Sequence, residues 1–302
     1  MSLEESRLPA VDAVRAYYDV NTRRWFRRAR ASYAIHRAVW GDGVRSQAEA
    51  LRYVDRLVLR EIQNLSNACP SPMHVLDLGC GICDSLIFLA SHTTIRATGV
   101  TISGVQAMYA HDRIARAGLA DRVQCLESDF LHLPNTIERA HVAFSIEAFI
   151  HGPDPAAYFA STADHIESGG LLIVCDDFLT EHARGHVSRR EARMLEDVRS
   201  GWLTHSLITL AEAEACAQVA GYRQLSTVDL TPNLDLGRPR DRLVAAAVAV
   251  GRHLPLRGFS WLSLVGGSAL QSALVAGLIE FRFVVWRKGS SNRAWIPARA
   301  TA

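Results

Sequence analysis

The chain has 302 residues, of which 49% are hydrophobic and 21% are charged, and its formal net charge at pH 7 is +2. This balance is typical of a folded globular protein and excludes a mainly disordered chain. The small net charge gives no support for a nucleic-acid partner. The length is large for one ordinary domain and small for two, so it favours one core with an added cap.

The cysteine spacing and the first residues of the sequence indicate the cellular compartment to expect. The six cysteines are scattered, and Cys80 and Cys83 form a C-x-x-C without a second pair at zinc-site spacing, so we predict no metal site and regard a redox role there as the less favoured interpretation. The first residues lack the basic start and apolar core of a signal peptide, and no apolar run reaches membrane-span length. We therefore expect a cytoplasmic protein without a membrane span.

The N-terminal part, residues 1–72, is predicted to be a helical cap. Apolar residues recur at helical spacing within residues 11–65, and Ser46 is a good N-cap because a glutamate follows three residues later. The intervening segment contains His36 and Trp40. Two interpretations of that segment stay open, a packed loop under the core or a lid over a bound ligand.

From Met73 onward short apolar runs alternate with helical stretches, which predicts a doubly wound α/β sheet. A helix is expected after each of the first four strands, with the fourth helix ending near Gly169 and Gly170. The first five strands are predicted near 73–78, 95–100, 122–127, 140–145 and 170–176.

The remaining elements complete a seven-stranded, mostly parallel sheet within residues 73–288. Helical insertions are expected near 181–204 and 236–272, with a sixth strand between them and a long alternating strand after the second. Residues 289–302 are predicted to be a loose tail.

The stretch HVLDLGCG, residues 74–81, reads as a buried strand that stops at a glycine turn opening a helix. Gly79 and Gly81 lack the Cβ atoms that would keep a ligand from the backbone, and the free N–H groups of the next helix face the same space. Asp77 at the strand end can hold an amine or a water molecule. A lone G-x-G also fits a dinucleotide fold.

These elements together resemble the class I S-adenosylmethionine-dependent methyltransferases over roughly residues 73–288. A dinucleotide fold expects an acidic residue about 20 positions after the glycines, whereas this chain has Thr101 within TGVTISGVQ. That segment resembles the variant found in cyclopropane synthases and in sterol and tocopherol methyltransferases. The resemblance implies a cofactor, S-adenosylmethionine, and cofactor contacts from Asp77, Gly79, Gly81, Thr101, Ile102, Gln106, Asp129, Phe130 and Ser145.

A second segment, FSIEAFIHGPDP at 144–155, is similar to sterol and tocopherol C-methyltransferases, and the N-terminal YYDVNTRRW is similar to bacterial isoprenoid C-methyltransferases. The implied reaction is methylation of an alkene carbon of an isoprenoid, first of all a prenyl diphosphate such as isopentenyl or geranyl diphosphate. A neutral prenylated or sterol-like natural product, methylated at carbon, oxygen or nitrogen, is the alternative. A binding protein that keeps the fold without the chemistry is a third hypothesis, against which the intact Gly79, Gly81 and Glu147 argue.

This reaction assigns roles to particular side chains. Glu147 would stabilise a carbocation and remove its proton, with His151 and Tyr18 as further catalytic candidates. The expected substrate contacts are Tyr17, Asn21, His36, Arg37, Trp40 and Phe149. For a diphosphate the available cations are Arg37, Arg45, Arg184, Arg189, Arg190 and Arg193, with Mg²⁺ as an optional addition. The only expected partner is the small-molecule substrate, and a homo-oligomer stays open.

Overall fold

A computed structural model describes residues 10–26, 36–66, 72–256 and 258–289. Three helices precede the sheet: α1 (Ala10–Phe26), α2 (Gln47–Leu51) and α3 (Tyr53–Ser66). Ser46 caps α2, because its hydroxyl accepts the Glu49 N–H while the Glu49 carboxylate accepts the Ser46 N–H, as the sequence predicted.

The central element is a seven-stranded sheet in the order β3-β2-β1-β4-β5-β7-β6. Its strands are β1 (Met73–Leu78), β2 (Ile95–Thr101), β3 (Val123–Glu127), β4 (Ala140–Ile146), β5 (Ile166–Leu179), β6 (Tyr222–Asp229) and β7 (Ile279–Lys288). Strands β1 to β5 are parallel, whereas β7 runs antiparallel to both β5 and β6. The predicted doubly wound, mostly parallel sheet is thus confirmed.

Helices cover both faces of this sheet. They are α4 (Asp84–His92), α5 (Gly104–Arg116), α6 (Pro155–His165), α7 (Glu181–Gly185), α8 (Arg189–Trp202), α9 (Leu210–Val219), α10 (Pro239–Gly251) and α11 (Phe259–Val275). One apolar cluster, which includes Val75 and Phe144, lies on one face, and another, which includes Leu76 and Trp286, lies on the other. Strands buried on both faces explain the near-continuous apolar runs in the sequence.

Two local predictions were wrong. Strand β3 is followed by turns instead of a helix, because the Asp129 carboxylate accepts the Leu131 N–H and so favours a turn. Gly169 and Gly170 do not end a helix. Helix α6 stops at His165, and the two glycines lie in a bulge of β5, where the pairing with β4 shifts register.

The helical insertions occur where they were expected. Helices α7 and α8 follow β5, while α10 and α11 separate β6 from β7, and α8 packs against α11. Because β1 pairs with β2 on one side and β4 on the other, the chain reverses its direction of winding at β1. Ligands of doubly wound sheets bind at the carboxyl ends of the strands at such a point. No helix within the described ranges is long and apolar enough to cross a membrane.

Candidate active site

A cavity of about 470 Å³ lies at the carboxyl ends of β1, β2 and β4, a volume within the usual range for small-molecule sites. The exposed area of its wall is mostly apolar, although polar side chains from several elements also reach it, among them Asp84, Asp129 and Glu147. Helix α1 closes it from above, because Val14, Tyr17 and Tyr18 face the cavity. The Arg15 Nε donates to the Ile102 carbonyl oxygen at 3.1 Å, which ties α1 to the end of β2.

The glycine turn forms the floor of the cavity. The Gly79 and Cys80 N–H groups both donate to the Val100 carbonyl oxygen, at 2.8 and 2.9 Å. Gly79 has a φ of 92°, and a Cβ added there would lie 2.3 Å from the Ala148 Cβ. Position 79 therefore requires glycine for two reasons, the positive φ and the contact that a Cβ would make with Ala148. A Cβ there would meet Ala148, so the requirement does not come from a ligand in the cavity.

A chain of hydrogen bonds joins the end of β2 to α1. Thr101 Oγ1 donates to Gln106 Oε1 at 2.7 Å, and Gln106 Nε2 donates to Thr22 Oγ1 at 3.3 Å. Ser103 caps α5 and donates to an Asp19 carboxylate oxygen at 2.5 Å. The wall therefore offers hydroxyl and amide groups suited to a ribose, although a carboxylate is absent from the end of β2. Thr22 and Asp19 were not predicted.

Of the residues predicted to contact the cofactor, all but Asp77 and Ser145 line the cavity. Asp77 lies beneath the turn, and burial raises the pKa of its carboxyl group well above the ordinary value. Ser145 is fully buried inside the sheet. Asp129 and Phe130 lie together on the wall, where an acidic group and an aromatic ring can contact a purine.

Glu147 lies on the cavity wall directly after β4, with a positive φ of 51° that is rare for a residue with a side chain. Its carboxylate accepts hydrogen bonds from the Arg37 N–H at 2.8 Å and from the Arg37 Nε at 3.1 Å. Burial raises the pKa of Glu147 and is the largest single influence, but the Arg37 charge, the two hydrogen bonds from Arg37 and the nearby His36 together outweigh it, so the pKa lies below its ordinary value. The carboxylate is therefore ionised.

Arg37 lies behind Glu147 and does not line the cavity. Its guanidinium makes a bidentate pair with Asp177, at 2.9 and 2.6 Å, and lies over the Phe281 ring at 4.2 Å. Next to it, burial and the Asp177 charge raise the pKa of Asp176 to about 8. Two acidic residues in the otherwise apolar run LLIVCDDFL were a signal in the sequence that we did not use.

Tyr18 and His151 form a second polar pair on the wall. The Tyr18 hydroxyl lies 2.7 Å from His151 Nε2, and His151 Nδ1 lies 3.3 Å from the Leu203 carbonyl oxygen. A carbonyl only accepts, so Nδ1 carries the proton and Tyr18 donates to Nε2. Burial lowers the pKa of His151 to about 4 and raises the pKa of Tyr18 well above its ordinary value, so both groups are neutral at pH 7.

The predicted substrate residues separate into two groups. Tyr17, Asn21 and His36 line the cavity together with Tyr18. Trp40 lies on the surface at 36% exposure, and its backbone bonds to Asn233. Phe149 is 1% exposed and packs against Tyr158, Phe159 and Phe178 in the core, away from the cavity.

The cations that were expected to bind a diphosphate do not meet at the cavity. Within the described ranges, Arg24 is the one arginine or lysine on the wall, accompanied by His36 and His151. Arg184 pairs with Glu212 at 2.8 Å, outside the wall. The wall also lacks the other arginines proposed from the sequence, which are Arg37, Arg45, Arg189, Arg190 and Arg193.

Both helical insertions contribute wall residues that the sequence did not indicate. Trp202 ends α8 and donates from Nε1 to the Ser263 carbonyl oxygen on α11 at 3.1 Å. The Ser263 hydroxyl donates to the Tyr17 oxygen at 2.9 Å and accepts from Asn21 Nδ2 at 3.2 Å. The cavity is thus assembled from the sheet, the N-terminal helix and both insertions.

Comparison with known proteins relates part of the chain to methyltransferases. A family model described as a methyltransferase domain matches residues 75–170. The chain is 32% identical over 132 residues to the methyltransferase GfsG of Streptomyces halstedii, covering 41% of this chain and 48% of that protein. It is 28% identical over 202 residues to 27-O-demethylrifamycin SV methyltransferase of Amycolatopsis mediterranei, covering 65% and 69%. Residues 75–170 carry a methyltransferase domain, within a sheet of the class I S-adenosylmethionine-dependent methyltransferase type.

Further relatives of this domain are named as an O-methyltransferase of Penicillium expansum and a sterol 24-C-methyltransferase of Neurospora crassa, so their names differ in the atom that is methylated. Sterol methyltransferase-like 1 of Botryococcus braunii is 26% identical over 221 residues, covering 72% of this chain and 54% of that protein. The match thus spans about half the length of this relative and of GfsG.

Two solved structures share the fold of the methyltransferase. The mycolic acid cyclopropane synthase CmaA1 superimposes with a TM-score of 0.73 at 17% identity, covering 93% of this chain and 99% of that one. Geranyl diphosphate C-methyltransferase from Streptomyces coelicolor A3(2), complexed with Mg²⁺, geranyl diphosphate and S-adenosyl-L-homocysteine, gives 0.66 at 14% identity with the same coverage. At these identities the likeness shows the fold alone.

Proposed function

We propose that this methyltransferase methylates an alkene carbon of an uncharged, isoprenoid-like small molecule. The observation that carries the proposal is the ionised Glu147 carboxylate on an otherwise mostly apolar cavity wall. Relatives named as sterol methyltransferases, two of them sterol 24-C-methyltransferases, support the same substrate class and methylation at carbon.

The residues present fit the cofactor. S-adenosylmethionine, when bound, supplies an electrophilic methyl group. The hydroxyl of Thr101 and the amide of Gln106 would hold the ribose, while Asp129 and Phe130 would contact the adenine, because these groups line one side of the cavity. The turn places the backbone of Gly79 and Gly81 on the cavity wall, where it can contact the ligand.

The charge state of Glu147 favours carbon over oxygen as the methylated atom. A carboxylate whose pKa lies below its ordinary value is a weak base for an alcohol, which must lose its proton as it is methylated. An alkene carbon needs no deprotonation before attack, and the resulting carbocation is so acidic that a weak base removes its proton. The fixed negative charge of Glu147 also stabilises the cation beside a wall whose area is mostly apolar.

The methyl acceptor is proposed to be uncharged because the described cavity wall carries too little positive charge to bind a diphosphate. The sequence favoured a prenyl diphosphate, which requires several positive charges or Mg²⁺. Among the described wall residues the positive charge is limited to Arg24, which is exposed. Arg37 is neutralised by Glu147 and Asp177. Tyr17 and Tyr18 offer aromatic faces to an apolar chain instead.

O-methylation is the second candidate, because Tyr18 and His151 form a neutral proton-accepting pair on the same wall. The Tyr18 oxygen can accept a substrate hydroxyl proton as it passes its own proton to His151 Nε2. With a pKa lowered to about 4, His151 is also a weak base, which places O-methylation second. The relatives named 27-O-demethylrifamycin SV methyltransferase and O-methyltransferase cnsE support this candidate.

The test compares two variants on a panel of prenyl alcohols, prenyl diphosphates and phenols, with methyl-labelled cofactor. Glu147→Gln keeps size but removes charge, so turnover should fall by about a hundredfold or more while cofactor affinity persists, and water-quenched or isomeric products should appear. Tyr18→Phe should have a smaller effect. If Tyr18→Phe loses more turnover than Glu147→Gln, and the products are methyl ethers, the proposal of C-methylation is wrong and O-methylation takes its place. Preference for diphosphates, weakened by salt, would reject the uncharged acceptor.

A further inference from the structure

Three buried cysteines lie together on one face of the sheet next to the glycine turn. Cys80 and Cys83 belong to the turn, Cys125 belongs to β3, and all three sulfur atoms lie within 4.8 Å of one another. The Cys80 and Cys125 sulfurs are 3.7 Å apart. The C-x-x-C of the sequence therefore meets a third thiol that no local pattern indicated.

Gly99 makes room for this cluster. It lies in β2 in register with Asp77 of β1 and Cys125 of β3. A Cβ at Gly99 would lie 2.7 Å from the Cys80 sulfur and 2.8 Å from the Cys83 sulfur. The sulfurs therefore occupy the space that a side chain in the middle strand would fill, which holds the turn and β3 in direct contact.

Only one of these thiols faces the cavity. Cys80 is 8% exposed and forms part of the cavity wall, whereas Cys83 and Cys125 are 0% and 3% exposed and do not line it. A small reagent therefore reaches the cluster through the space where the cofactor is expected to bind. A bound cofactor would block this path.

We propose that Cys80 and Cys125 form an oxidative modification site, at which hydrogen peroxide creates a disulfide that weakens cofactor binding. The Cys80 sulfur attacks one peroxide oxygen as its proton passes to the leaving oxygen, which gives a sulfenic acid and one water molecule. The Cys125 sulfur then attacks the Cys80 sulfur. The S–S bond forms, the S–O bond breaks, and the hydroxyl leaves with the Cys125 proton as a second water molecule.

The effect on the cofactor follows from distance. A disulfide brings the two sulfurs to about 2.05 Å, from 3.7 Å in the thiol form. Cys80 must then move toward β3, and its neighbours Gly79 and Gly81, which line the cavity on either side of it, move with it. The Cys80 N–H bond to the Val100 carbonyl oxygen resists this movement, so the turn distorts and the backbone of the cofactor site changes shape.

The experiment treats the full chain with hydrogen peroxide, with and without S-adenosylhomocysteine, and maps cross-links by mass spectrometry of peptides. Calorimetry then compares the affinity of the reduced, oxidised and re-reduced chain for S-adenosylhomocysteine. We expect a Cys80–Cys125 cross-link that forms more slowly with the ligand present, and an affinity that falls about tenfold or more and returns with dithiothreitol. Cys216→Ser should keep this response, since Cys216 lies outside the cluster, whereas Cys125→Ser and Cys125→Ala should lose it.

Several results would overturn the proposal. They are a cross-link between other cysteines, oxidation that the ligand does not slow, and a stoichiometric thiol-bound metal ion in the purified chain. Unchanged affinity after oxidation would reject the switch and leave the cofactor site intact. Absence of binding by the reduced chain would reject both the cofactor site and the switch. The wild-type comparison decides the question even if the Cys125 variants fail to fold.

Discussion

Replacing Arg37 by methionine removes the positive charge that holds two buried carboxylates. The guanidinium bonds to Glu147 and bidentately to Asp177, whose side chain is 3% exposed. Removing one partner of a buried ion pair costs about 3 to 5 kcal/mol, because the remaining charge has no counter-charge. Two carboxylates lose their partner here, so we expect the free energy of unfolding to fall by at least that amount, which is a fall in Tm of about 5 to 8 °C or more for a chain of this length.

The penalty should depend on pH. Without Arg37, burial raises the pKa of Glu147 and Asp177 above their unfolded values, so the folded variant binds protons that the unfolded chain has released. Stability of the variant therefore falls as pH rises through the range between the two values. Denaturant unfolding at about pH 5 and about pH 8 should show the larger loss at the higher pH.

Matched variants separate charge from packing. Arg45 is exposed and its side chain makes no ion pair among the described residues, so Arg45→Met should change stability by less than about 0.5 kcal/mol. Asp177→Asn added to Arg37→Met should recover part of the loss. A loss below about 1 kcal/mol, or one equal at both pH values, would refute the argument that Arg37 compensates buried charge.

Three further predictions concern the turn, the core and the buried imidazole. Gly79→Ala should lower affinity for S-adenosylhomocysteine by about tenfold or more and destabilise the fold more than Gly118→Ala, since both glycines have positive φ but only Gly79 would meet Ala148; equal effects in calorimetry and thermal unfolding would contradict this. Phe149→Ala should cost about 3 to 5 kcal/mol without a selective rise in KM; a normal Tm with a raised KM would restore its substrate role. The pKa of His151 is lowered from 6.5 to about 4, so below about pH 6.5 only the unfolded chain gains this proton, and wild-type stability should fall more steeply toward pH 4 than that of His151→Asn, by on the order of 3 kcal/mol; parallel pH curves would show that the site is open to protons.

Local sequence patterns predicted the sheet, and they selected residues that the structure places on one cavity wall. Strand ends, helix starts and glycine turns depend on neighbouring residues, so Gly79, Gly81, Thr101 and Gln106 could be placed from their own segments. The bulge at Gly169 was missed because it depends on pairing between β5 and β4, which a single segment does not reveal.

The acceptor side could not be predicted to the same depth because its contacts span the chain. Arg37 and Glu147 are 110 residues apart, and Tyr17 meets Ser263 across 246 residues. An arginine in an N-terminal loop looks the same in sequence whether it faces a diphosphate or a buried carboxylate. Phe149 belongs to the same sequence segment as Glu147, but its side chain lies in the core and not on the cavity wall. The backbone turns after β4, so side chains only two positions apart lie in different places.

The backbone at Glu147 links the charge network to the chemistry. A residue with a side chain at positive φ costs about 1 to 3 kcal/mol and persists only where its surroundings hold it. Here the Glu147 N–H donates to the Cys175 carbonyl oxygen, while Arg37 binds both carboxylate oxygens. Arg37 precedes the sheet in the chain, as do Tyr18 and Thr22, so the N-terminal segment supplies the counter-charge, the phenol and a link to the nucleoside wall. The proposed site is therefore complete only when this segment is docked, and we expect specificity for the methyl acceptor to be set there and not in the sheet.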